Sequence, residues 1–117
     1  MTLEKAINLG HVKMGYKATS KVWGRDISWV PFTAREVKYK LNKWTIPRVN
    51  CGPLAVFTVY TDLLDFCGTW EETHIWECCF IKSKETSLYV NGAYADHVPM
   101  GTRFADAVML TKLLCII

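Results

Sequence analysis

The stretch from Leu54 to Phe66 constrains the fold most, because it is rich in large apolar residues and is introduced by Asn50-Cys51-Gly52-Pro53. Such a run has to be buried, and the rest of a 117-residue chain has to cover it. Val56, Phe57, Val59 and Tyr60 would suit a buried strand, and periodicity alone does not separate a buried strand from a buried helix. Three features favour a helix. Pro53 suits a first-turn position, the run is longer than a typical strand, and Gly68 stands where a C-cap belongs. The expectation is a central buried helix over 53–66, with Cys51 just ahead of its N-terminus. A thiol placed there meets unpaired backbone N–H groups and the positive end of the macrodipole, which favours the thiolate.

The remaining elements follow from local signals. Thr2 can cap a short helix through Leu3, Ala6 and Ile7, with Gly10 ending it. From His11 to Trp29 short apolar alternations predict strands or an irregular hairpin. Thr33-Ala34-Arg35-Glu36 matches a capping box, so an amphipathic helix is expected over 34–43, with Pro47 blocking any continuation. Asn91-Gly92 between Ser87-Leu88-Tyr89-Val90 and Ala93-Tyr94-Ala95-Asp96 is a strong hairpin signal. Together with the β-rich run from His74 to Lys82 it predicts a three-stranded antiparallel meander over 74–97. Arg103 to Leu114 reads as a second buried helix, and a final strand over Leu113–Ile117 is the rival reading. The expected fold class is therefore α+β in a single domain, 1–117. In it a central helix packs on a three-stranded antiparallel meander, beside an N-terminal hairpin region and a C-terminal apolar helix.

Half of the residues are apolar and 21% are charged, which excludes a disordered or collagen-like chain. A formal charge of +3 is too mild for a strong nucleic-acid footprint, although Arg35 to Arg48 is locally basic. Met1 to Gly10 lacks the apolar core of a secretory signal, and no stretch is long and apolar enough for a membrane span. The chain is expected to be soluble and cytoplasmic. Its cysteines, Cys51, Cys67, Cys78, Cys79 and Cys115, are odd in number and contain no C-x-x-C spacing, so reduced thiols are expected rather than a disulfide framework. Cys67, His74, Cys78 and Cys79 are close in sequence, but Cys78 and Cys79 point to opposite faces of a strand, and no metal or cofactor is expected.

A cysteine nucleophile needs a base and a group that orients the base. Asn50-Cys51-Gly52-Pro53 opening a helix, followed by a histidine on a strand, resembles the papain-like cysteine peptidase superfamily, particularly its minimal members, some of them phage-encoded. The resemblance spans about Val49 to Pro99, and its specific part is the four-residue motif. It implies Cys51 as nucleophile, His74 as general base, and a neighbouring Asn or Asp as third member. If the first two strands of the meander turn near Ser83-Lys84, His74 falls opposite the Asn91-Gly92 turn, which favours Asn91 over Asp96. Oxyanion stabilisation would come from the Cys51 backbone N–H, with Asn50 as a further donor. Two departures stand out: only 23 residues separate Cys51 from His74, and Leu54 replaces the usual small residue after Gly-Pro. In permuted relatives a histidine precedes an Asn-Cys pair, so His11 is the alternative base.

Thiol-dependent hydrolysis or acyl transfer on a peptide or amide bond is thus the first functional expectation. The second is a non-enzymatic binding or inhibitor module. It would dock on a protein, or less favourably on a nucleic acid, through Trp23, Trp29, Trp44 and the basic stretch from Arg35 to Arg48.

Overall fold

The computed structural model describes residues 2–22, 25–28, 38–47, 53–67, 73–85, 89–90, 93–94 and 101–116. A short helix α1 (Leu3–Asn8) opens the chain, with the Thr2 hydroxyl accepting from the Lys5 amide at 3.2 Å. Gly10, at φ +73°, closes it in a Schellman motif: the His11 amide donates to the Ala6 carbonyl and the Gly10 amide to that of Ile7. A long strand β1 (Val12–Val22) follows and pairs back on β2 (Arg25–Ser28), forming the hairpin expected of this region. Short strands β3 (Lys38–Tyr39) and β4 (Trp44–Thr45) come next, then β5 (Leu54–Phe57), helix α2 (Tyr60–Cys67) and β6 (Thr73–Lys82). A separate hairpin of β7 (Tyr89–Val90) and β8 (Ala93–Tyr94) precedes the longest strand, β9 (Thr102–Ile116).

Among the described residues, seven strands share one antiparallel sheet. Its centre is β6, which runs between β1 and β9. On their other sides both β1 and β9 pair with β5. The circuit β1–β6–β9–β5 therefore returns to its start, and the sheet curls into a small closed barrel without a free edge around that ring. The interior is filled by Trp76, Cys78 and Phe80 from β6, Val108 and Leu110 from β9, and Leu54 and Val56 from β5, with Tyr39 packed against them. Outside the ring, α2 covers one patch through Leu63 against Ala18, Phe57 and Ile75, and α1 covers another through Ala6 against Ile81 and Ala107.

This architecture overturns the expected central helix. The apolar run is divided, with Leu54–Phe57 a strand and the helix confined to the eight residues from Tyr60 to Cys67. Val56 and Phe57 suit a pleated surface, and four residues in strand form suffice to bridge β1 and β9, a tertiary demand that outweighs local helix signals. The expected C-terminal helix is likewise absent, because Thr102–Ile116 is one strand. Its pairing with β6 skips Asp106, Thr111 and Leu114, one at each of three register shifts. These are β-bulges, which bend the strand around the barrel. The Thr111 hydroxyl donates to the Glu77 carbonyl at 2.9 Å across the second of them. Two of the polar residues within this largely apolar segment, Asp106 and Thr111, are thus bulge residues.

Two further expectations change. Of the helix expected over 34–43, residues 34–37 lie outside the described set, while Lys38–Tyr39 is a strand and residues 41–43 form a turn. The three-stranded meander is not formed either: β7 and β8 pair with each other, with Val90 opposite Ala93, whereas β6 pairs with β1 and β9.

Candidate functional site

Of the residues expected to carry thiol chemistry, Cys51, Asn91, Asp96 and Asn50 lie outside the described residues. The helix expected to begin at Pro53, on which the case for a thiolate at Cys51 rested, is not formed, because Leu54–Phe57 is a strand. His74 is only 8% exposed and sits opposite Thr19 on β1 and Ile116 on β9, with its ring centroid 6.2 Å from that of Trp76. The strand pairing that would have brought Asn91 beside it is not made. His11 is exposed and lies where α1 hands over to β1.

Two described thiols are held protonated by burial. Cys78, inside the barrel, is pushed up to about 12 from an ordinary 9.0; desolvation is the largest cause and the nearby Lys17 ammonium opposes it. Cys79, on the outer face, is also raised, mainly by desolvation. Cys115 is half-buried, with its sulfur 3.5 Å from the Tyr60 hydroxyl. Among the described residues, Lys17 places a charged group inside the barrel: it is 3% exposed, donates to the Ala55 carbonyl at 2.6 Å and lies 5.3 Å from the centre of the Tyr39 ring. Nearby, the Trp76 indole N–H donates to the Thr19 hydroxyl at 2.8 Å. Carbonyl, aromatic face and hydroxyl account for these groups as packed polar structure.

An open site lies on the outside, where α1 meets the ends of β1 and β6. A groove of about 960 Å³ is lined there by Leu3 and Ala6 of α1 and by Ile46 and Pro47. Val12, Ile81 and Ala107, one residue from each of three adjacent strands in register, line its apolar part. Lys13, Lys82 and Lys84 are among its lining residues, together with Glu85, Asp106 and His11. The turn bearing Lys84 and Glu85 is fixed at Ser83, whose amide donates to the Phe104 carbonyl at 2.9 Å and whose hydroxyl accepts from the Glu85 amide at 3.0 Å. The basic residues therefore stand on a braced turn and on paired strand ends.

Sequence reasoning missed this groove. Its residues come from four separated parts of the chain, and no local motif joins Lys13 to Lys82 or either to Asp106; Lys82-Ser83-Lys84 is the only short-range hint. Trp44, expected as an exposed anchor, is half-buried against the cluster beneath α1, while Trp23 and Trp29 lie outside the described residues.

No protein-family model, curated protein or solved structure matches this chain. Among the described residues, no helix is long and apolar enough to cross a membrane.

Proposed function

We propose that this chain is a non-enzymatic binding module. Its α1-side groove takes a short segment of a partner protein that presents an apolar residue flanked by acidic side chains. The observation carrying this reading is the combination of apolar lining that still presents surface, at Leu3, Val12 and the exposed Ile46, with three lysines and two acidic residues among the lining residues. Apolar lining rewards burial of a side chain, while the excess of ammonium groups favours an anionic neighbour and speeds its approach. The two carboxylates argue against a nucleic-acid strand, whose uninterrupted phosphates would be repelled at Glu85 and Asp106. They suit a peptide, which can set a backbone amide or a basic residue opposite them.

Thiol hydrolysis loses its main physical support once Leu54–Phe57 is a strand, and the buried environment of His74 adds none. The binding reading is tested by amide NMR of the labelled chain titrated with three probes: a short alternating Leu/Glu peptide, its Leu/Lys counterpart and a single-stranded oligonucleotide. The Leu/Glu peptide is expected to shift the amides of Val12, Lys13, Ile81, Lys82 and Ser83, less so as salt is raised. Equal shifts with the Leu/Lys peptide, or none with either, would overturn the reading. Tighter binding of the oligonucleotide would replace the peptide with nucleic acid.

A further inference from the structure

Strands β1, β6 and β9 lie side by side, and their register sets Met14 opposite Cys79 and Cys79 opposite Met109. Directly opposed residues share one face of a sheet with Cβ atoms about 5 Å apart. Two thioethers therefore flank one thiol in a single row on the outside of the barrel. Strand β4 continues the row by placing Trp44 opposite Met109.

The row lies between the patches covered by the two helices, and none of its three sulfur residues belongs to a core cluster. Its exposure is graded: Cys79 is 6% exposed, Met109 is half-buried and Met14 is 58% exposed. A thioether with that much exposure adds little to stability by burial, and its placement beside a thiol needs another account. The thiol itself makes only a weak contact, to the Met109 carbonyl at 3.9 Å.

The geometry points to a binding site for a soft monovalent cation of the Cu(I) class, held by the Cys79 thiolate and the thioethers of Met14 and Met109. Thiolate and thioether donors select such an ion over hard or borderline ones. Among the described residues no three His, Cys, Asp or Glu side chains come together to hold a metal, so a zinc- or calcium-type donor set is not what this face offers. Methionine is unbranched and has three rotatable bonds, so a thioether from either neighbouring strand can swing over the central sulfur. Loading is an exchange: the cation bonds to the Cys79 sulfur, and the thiol proton leaves to solvent.

The test uses the reduced chain labelled with carbon-13 at its methionine methyls and titrated with Ag(I), a redox-inert probe of the same class. The methyl signals of Met14 and Met109 are expected to move together and saturate at one equivalent, while those of Met1 and Met100 stay in place. Cys79→Ser should weaken binding by roughly a hundredfold or more, beyond the cost of losing an outer-sphere partner. Met14→Leu, at an exposed position where folding is not at risk, should weaken it measurably while leaving the amide spectrum otherwise unchanged. If Ag(I) binds Cys51, Cys67 or Cys115 without moving the Met14 and Met109 methyls, or if Met14→Leu binds as tightly as the parent, the site does not exist. Neither result bears on the peptide groove, which uses other residues.

Discussion

The Phe57 carbonyl oxygen lies 2.8 Å from the position that a side-chain carbon on Gly15 would occupy, and the Phe80 ring lies 3.0 Å from the same point. This is where β1 passes closest to β5 and the barrel closes, through the single pair Tyr16–Phe57. A glycine here lets two backbones approach while Phe80 fills the interior below. Gly15→Ala should therefore destabilise the chain, by about 1–3 kcal/mol as in other overpacked cores. Urea unfolding monitored by tryptophan fluorescence measures this, and an unchanged midpoint would show that the ring is not closed so tightly.

Thr19 is fully buried and accepts the Trp76 indole N–H at 2.8 Å. Thr19→Val keeps the shape but removes the acceptor, leaving a buried donor without it. The expected loss is about 1–3 kcal/mol. A loss no larger than a few tenths of that range in the same unfolding experiment would mean that the indole finds another acceptor at no cost.

Cys78 gives the fold a defined alkaline limit. Its thiol is raised to about 12 in the folded chain from an ordinary 9.0, chiefly by burial. Below pH 9.0 the thiol is protonated in both states, so its contribution is fully present; above that the unfolded chain releases the proton first. Stability should fall as pH rises from 9.0 toward about 12, and Cys78→Ala should show a shallower decline by about one proton. Identical slopes for the two proteins would contradict the burial of this thiol.

Leu54–Phe57 is a strand, so the helix whose macrodipole was the reason to expect an activated thiol at Cys51 is not formed over those residues. Iodoacetamide near pH 7 should label Cys51 no faster than an ordinary free thiol, and Cys51→Ser should retain peptide binding. Selective labelling of Cys51 well ahead of Cys115 would restore the case for an activated nucleophile.

Local signals identified much of the N-terminal structure. The Thr2 cap, the Gly10 stop and the β1–β2 hairpin depend on neighbouring residues, which a sequence displays directly. The Tyr89–Val90 and Ala93–Tyr94 pair, flanking Asn91-Gly92, was visible for the same reason. The barrel was not, since its closure rests on Gly15 meeting Phe57 and on bulges at Asp106, Thr111 and Leu114. Those bulges break the period-2 alternation that would have marked β9 as a strand, and a long apolar segment without alternation reads as a buried helix. The groove escaped notice because register, which sequence did not supply, brings Val12, Ile81 and Ala107 together.

The groove's preference for acidic segments is tested most directly by reversing its charge. In Lys82→Glu/Lys84→Glu, two exposed ammonium groups become carboxylates while the Ser83 turn between them is kept. Affinities for the Leu/Glu and Leu/Lys peptides, measured by calorimetry at low salt, should exchange order. The parent is expected to prefer the acidic peptide by roughly tenfold, about 1.4 kcal/mol, and the variant the basic one. A variant that keeps the parent's preference, with an unaltered amide spectrum away from the groove, would contradict the assignment of this groove as the binding site.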